Sequence, residues 1–176
     1  MPDAIDIAKT LVSNKPVDYW EIYLTTSRSF RVEVRDSLVD SLQRSSLKGM
    51  AIRVIKDHKP GFSFCTSSDP GNIEKAINSA VEMAGVTPPD ELMSFTKREN
   101  KYPVKLDLLS DKLTGMPEKD KIEIARMIEK EAYAFDKRIS VARSSGYVDS
   151  ITDVRLLNSS GLDLNDCSGI CSAWVE

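Results

Sequence analysis

The feature that most constrains this chain is a run of strand signals joined by connections too short for a crossover. Phe30, Val32 and Val34 alternate with Arg31, Glu33 and Arg35, and a period of two places the apolar set on one face of a strand. Just before them, Trp20, Ile22 and Leu24 alternate with Glu21, Tyr23 and Thr25. Asp36-Ser37 is turn chemistry leading into a more polar strand at 38–45, and Gly49 introduces another at 50–55. Asp57-His58-Lys59-Pro60-Gly61 then turns the chain into 62–66. Parallel neighbours need a crossover of about a dozen residues or more, so these strands form an antiparallel meander.

Helical periodicity appears in three places. Ala4, Ile7, Ala8, Leu11 and Val12 share one face of a short helix over 3–13, with Asp3 as its cap. Asp69-Pro70 opens the second, since Asp is a favoured cap and Pro at the first helical position forfeits no hydrogen bond. Its stripe is Ile73, Ala76, Ile77, Ala80, Val81 and Ala84, and Gly85 ends it. Pro117 opens the third, with Glu118 and Asp120 at the end of the dipole that favours anions. Ile122, Ala125, Ile128, Ala132 and Phe135 give that helix its core stripe, and its Glu and Lys residues read as a solvated face.

Residues 86–116 lack periodicity and contain Pro88, Pro89 and Pro103, which reads as a long surface loop or as a linker between sub-units at 1–90 and 104–176. Strands resume at 139–144 and 151–157, Asn158-Ser159-Ser160-Gly161 is a turn, and Leu162 starts another strand. Residues 172–176 read as a strand that stops in mid-pattern, an edge able to recruit other chains. The predicted class is α+β: a mainly antiparallel sheet with two long helices packed on it and a short N-terminal helix.

Composition narrows function by exclusion. The 176 residues carry 24 Lys and Arg against 27 Asp and Glu, a net charge of −3, with no basic block. Phosphate contacts supply most of the affinity for nucleic acid, so none is expected as a partner. No apolar run approaches the roughly 20 residues of a membrane span, and no secretory signal opens the chain. A cytoplasmic location with reduced thiols follows as the expectation. Cys65, Cys167 and Cys171, with His58 as the sole histidine, do not make the four-ligand set of a structural zinc site. No metal, no cofactor and no catalytic residue is therefore expected in this chain. His58 sits in a turn with nothing resembling a strained nucleophile elbow nearby.

Several segments, taken in order, resemble the amino-terminal domain of the TldD/PmbA family. They are Asp18-Tyr19-Trp20-Glu21-Ile22-Tyr23, then Leu47-Lys48-Gly49-Met50-Ala51-Ile52-Arg53-Val54-Ile55, then Gly61-Phe62-Ser63-Phe64-Cys65-Thr66 and the helix at 73–84. Leu106-Asp107-Leu108, Asp136-Lys137-Arg138-Ile139 and Leu157-Asn158-Ser159-Ser160-Gly161 continue the likeness, nearer to the PmbA (TldE) side. The resemblance implies an assembly of TldD and PmbA subunits that cleaves unfolded peptides. It places zinc on a His-Glu-x-x-x-His helix and a later cysteine of the TldD carboxyl-terminal domain, and PmbA-type subunits generally lack that motif. On this reading residues 1–176 are a non-catalytic domain without the peptidase-like domain. Such a domain shapes a substrate chamber and contacts a TldD/PmbA-type partner subunit or a second copy of itself. Asn158, Ser159, Gly161 and Trp174 are the candidate contacts to a peptide or partner. Two alternatives stay open: a regulatory or scaffolding module of the kind the older label "modulator of DNA gyrase" suggests, and a small hydrolase using His58.

Overall fold

The computed structural model describes residues 3–97 and 106–176. In chain order the elements are α1 (Ala4–Ser13), β1 (Tyr19–Arg35), β2 (Leu38–Lys56), β3 (Lys59–Cys65), α2 (Pro70–Val86), α3 (Asp111–Thr114), α4 (Glu118–Phe135), β4 (Ser145–Asn158) and β5 (Asp163–Val175). The strands form one five-stranded antiparallel sheet in the order β3-β2-β1-β4-β5. The α+β class and the antiparallel meander are as the sequence predicts.

Two tight turns set the register. Asp36 and Ser37 have φ of 50° and 62°, and Asp57 and His58 have 51° and 59°. Left-handed backbone at both central residues matches the right-handed twist of a hairpin. The second turn fixes the β2–β3 register from Lys56↔Lys59 out to Met50↔Cys65.

The strands are longer than the alternation suggests. The signals at 20–25 and 30–35 belong to one 17-residue strand, and those at 38–45 and 50–55 to one of 19 residues. Between the two signals of β1 lie polar residues such as Thr26, Ser27 and Ser29, which interrupt the apolar pattern but not the backbone ladder. Ser27 Oγ lies 3.1 Å from Ser150 Oγ and accepts a bond from Thr152 Oγ1 at 3.2 Å. Hydroxyl pairs of this kind stabilise neighbouring strands without burying apolar surface. Gly49 therefore lies inside β2 and begins nothing.

Other expectations need correction. Asp3 occupies the cap position of α1, but its side chain makes no capping bond; its carbonyl accepts from the amides of Asp6 and Ile7. Gly85 does not end α2. That helix runs on to Val86, and Thr87 closes it by donating both its amide and its hydroxyl to the Met83 carbonyl. Asp69 does cap α2, its carboxylate accepting from the Asn72 amide at 3.1 Å. The 86–116 segment contains the short helix α3, while 98–105, including Pro103, lies outside the described residues. Residues 139–144 are not a strand; the Ala142 amide donates instead to the Tyr133 hydroxyl at 2.9 Å.

Helix α4 departs furthest from its pattern. Phe135 is 86% exposed, and Ala125 is the only fully buried member of the expected stripe. Glu129, placed by its charge on a solvated face, is 1% exposed. Its two carboxylate oxygens accept from the amides of Asp36 at 2.9 Å and Ser37 at 2.7 Å. A left-handed hairpin turn presents such amides with no partner of its own, and a carboxylate meets both at once.

The chain forms two compact units, and β1, β2, β4 and β5 each supply residues to both. One unit comprises Met1–Thr26, Leu47–Lys105 and Asp153–Asp166; the other comprises Ser27–Ser46, Leu106–Thr152 and Cys167–Glu176. In the first, α1 and α2 cover Trp20, Ile22, Met50, Ile52 and Val54, with Ile5, Ile73 and Ile77 fully buried between them. Each such side chain contributes roughly 1.5–3 kcal/mol by leaving water. In the second, Phe30, Val32, Val34, Tyr147 and Ala125 form the core, flanked by Met116, Ile122 and Ile124.

Candidate functional site

The four candidate contact residues fall in different places. Asn158 is buried and clasps its own turn: Oδ1 accepts from the amides of Ser160 at 3.0 Å and Leu162 at 3.2 Å, and Nδ2 donates to the Thr96 carbonyl at 2.8 Å. Ser159 is tied to β1, its hydroxyl accepting from the Trp20 amide at 3.1 Å and its own amide donating to the Trp20 carbonyl at 2.9 Å. Gly161 supplies the turn's left-handed residue, with φ of 86°. These three belong to the first unit. Trp174 belongs to the second, half-buried over Gly146, where a Cβ would come within 2.3 Å of its ring. The Arg31 guanidinium lies 4.5 Å from its centroid. The end of the chain is itself paired, Glu176 donating to the Ser144 carbonyl and accepting from the Arg143 amide.

A different surface of the first unit is chemically richer. On β3, Gly61 faces the helices and is buried, because α2 approaches so closely that a Cβ would sit 2.0 Å from the Ala80 carbonyl oxygen. The alternate residues Phe62 and Phe64 point to the opposite face, 48% and 67% exposed, with ring centroids 6.4 Å apart. Arg53 is the register partner of Phe62. It pairs with the buried carboxylate of Glu21, Nε donating at 3.0 Å, and its guanidinium stacks 5.1 Å from the Phe95 ring. A cleft of 270 Å³ opens beside them, lined by Arg53, Phe62, Met83, Met93 and Phe95 among others. β3 is a terminal strand of the sheet, so this aromatic face borders an edge that no strand among the described residues pairs with. Phe62 and Phe64 were legible as a pair, since the alternating Gly61, Ser63 and Cys65 are too small to be their equals on the core side. The Arg53–Phe95 stack carries no such signal.

The second unit holds a buried ion pair. Lys121 Nζ of α4 lies 2.5 Å from Asp149 Oδ2 of β4, with side chains 11% and 6% exposed, and the same ammonium sits 5.0 Å from the Phe30 ring. The Tyr147 hydroxyl is buried close to Asp149 and Cys171 without a hydrogen bond of good geometry. Burial first, and then the Asp149 charge, push this phenol well above its ordinary range. Its neutral form is favoured in the fold, so the stabilisation is complete below the ordinary phenol value of 10.0 and is lost as pH rises toward the raised folded value. We expect Tyr147→Phe to leave neutral-pH stability within about 1 kcal/mol of wild type, because it removes an unsatisfied hydroxyl. It should also flatten the loss of stability above pH 10. Denaturant unfolding at neutral and alkaline pH checks both; an unchanged alkaline slope would mean other groups carry it.

Reactive chemistry is sparse. Cys65, Cys167 and Cys171 form no disulfide, and burial pushes the Cys65 thiol up, away from the reactive thiolate. His58 stands at the tip of the β2–β3 turn in a polar groove with Asp18, Asp57, Glu91 and Lys97. Among the described residues no group of three or more His, Cys, Asp or Glu side chains could hold a metal ion. Among them, too, no helix is long and apolar enough to cross a membrane.

Fold and surface together define a class: an α+β chain with a five-stranded antiparallel sheet, an aromatic edge strand and no metal-ligand cluster among the described residues. Residues 20–84 match the family model described as PmbA/TldA metallopeptidase domain 1, and residues 111–176 match the model for the central domain of the same metallopeptidases. The chain belongs to the PmbA/TldD family. An uncharacterized protein of Methanocaldococcus jannaschii is 26% identical over 156 residues, covering 89% of this chain and 35% of the relative. The crystal structure of TldE from Thermococcus kodakarensis is similar with a TM-score of 0.78 at 24% identity, covering 98% of this chain and 37% of that one. A Thermotoga maritima protein named as a candidate modulator of a DNA gyrase gives a TM-score of 0.83 at 19% identity over 98% and 38%. The chain thus spans little more than a third of the length of these relatives.

Proposed function

We propose that this chain is a non-catalytic, peptide-holding part of a PmbA/TldD-type peptidase assembly. In this reading it walls the substrate chamber and contacts a partner subunit of the same family or a second copy of itself. Zinc, where the assembly uses it, is held outside these residues. The observation that carries the reading is the edge strand β3, which combines open backbone groups with the exposed rings of Phe62 and Phe64. An unfolded peptide can add to such an edge by main-chain hydrogen bonds, which are indifferent to its sequence, while the rings supply apolar contact. That combination suits a peptidase that accepts many unfolded chains.

The test is fluorescence anisotropy with an unfolded peptide, labelled at its amino end and amidated at its carboxyl end. Wild-type chain should bind it, and the double variant Phe62→Ser, Phe64→Ser should bind about tenfold more weakly, the scale of losing a central aromatic contact. Both rings are exposed, so the variant should unfold at the wild-type denaturant concentration. Absence of binding at millimolar peptide, or equal binding by the variant, would reject the reading.

A further inference from the structure

A pocket of 510 Å³ is lined wholly by residues of the second unit, and its size falls in the range of about 300–1,000 Å³ typical of small-ligand sites. Phe30 and Ile151 give it an apolar lining. Three cations line it, Arg28, Arg44 and Lys121, against two carboxylates, Glu118 and Asp149, so its charge is 3 − 2 = +1. The carboxylates are already engaged. Arg44 forks Glu118 through Nε at 2.6 Å and through a second, shorter bond, and Lys121 holds Asp149. Arg28 alone among the three has no carboxylate partner among the described residues. Ser29, Ser45 and Ser46 also line the wall.

A spare guanidinium beside an apolar patch fits a monoanion with a small hydrocarbon body. Guanidinium matches a carboxylate in two parallel hydrogen bonds. A phosphate near two negative charges would leave the pocket with excess charge. We propose that this pocket binds the carboxyl-terminal carboxylate of a peptide, Arg28 engaging the carboxylate and the Phe30–Ile151 surface receiving the last side chain. The choice of a peptide end as the source rests on the function proposed above; the carboxylate preference does not. The site would give an otherwise sequence-indifferent domain a way to recognise chain ends.

The test uses N-acetylleucine and N-acetylleucinamide as small probes, followed by calorimetry or ligand-observed NMR on the whole chain, with inorganic phosphate as competitor. The acid should bind and the amide should bind at least tenfold more weakly. Arg28→Gln should lose about tenfold for the acid while keeping the wild-type unfolding midpoint, and Arg28→Lys should recover part of the loss. Equal binding of acid and amide, no binding of the acid at millimolar concentration, no effect of Arg28→Gln, or displacement by phosphate at equal concentration would each overturn the carboxylate site. In a second arm, the unfolded peptide should bind more tightly as a free acid than as its amide, and Arg28→Gln should erase the difference. Binding of N-acetylleucine without that peptide difference would overturn the chain-end assignment. An amidated peptide that binds while N-acetylleucine does not would sink the pocket and leave the edge reading standing; the reverse pattern would sink the edge reading with the peptide-end assignment that rests on it, and leave the carboxylate site standing.

Discussion

Lys121→Met is expected to destabilise the chain by about 3–5 kcal/mol, the cost of leaving a buried carboxylate without its partner. Asp149 is 6% exposed at its side chain and its charge is met by the Lys121 ammonium 2.5 Å away. Methionine keeps most of the hydrocarbon stem, so little of the loss comes from packing. The companion variant separates the causes. Lys121→Met with Asp149→Leu removes both charges and should recover most of the loss, because a matched apolar pair of similar volume is often as stable as a buried ion pair. Urea unfolding of the two variants against wild type reads the difference. A double variant as unstable as the single one would mean that the cost lies in shape and not in charge.

Gly61→Ala should cost about 3 kcal/mol or more, at the upper end of what one added methyl group does in a packed interior. The new Cβ would lie 2.0 Å from the Ala80 carbonyl oxygen and 2.8 Å from the Ala84 amide nitrogen. Both are backbone atoms of α2, so no side-chain rotation relieves the clash and the helix must move off β3. Gly85 provides the control. It sits within α2, and a methyl group added there would meet nothing within 4 Å, so Gly85→Ala should stabilise by roughly 0.5–1 kcal/mol. Thermal and denaturant unfolding of the pair should shift in opposite directions; equal, small shifts would contradict the tight contact between α2 and β3.

The local grammar of this chain is legible residue by residue. Alternation at Phe30, Val32 and Val34 forces a strand with one buried face, and turn residues at 36–37 and 57–58 leave antiparallel pairing as the outcome. Asp69-Pro70 starts α2, whose Ile73, Ala76, Ile77, Ala80 and Ala84 are all buried. The order of weak segments along the chain also leads to the PmbA/TldD family. These features depend on neighbours close in sequence, where backbone preference and side-chain period act directly.

The uses to which polar and small residues are put emerge only in three dimensions. Ser and Thr between the two halves of β1 erase the apolar period, yet cross-strand hydroxyls and backbone pairing carry the strand through. Glu129 looks like a surface charge because its helix position says nothing of the left-handed turn that meets it from β1 and β2, 93 and 92 residues away in sequence. Phe135 completes a stripe on paper, yet among the described residues nothing buries it at the last turn of α4. Asn158 and Ser159 offer hydrogen-bonding groups to a partner in sequence, while in the fold those groups bond to Thr96, Ser160, Leu162 and Trp20. The long helices, the hairpin turns and the family can thus be read from residues alone. Pairing between distant residues has no local signature, because packing settles it, and that pairing selects which charges are buried and leaves Arg28 as the pocket cation without a carboxylate among the described residues.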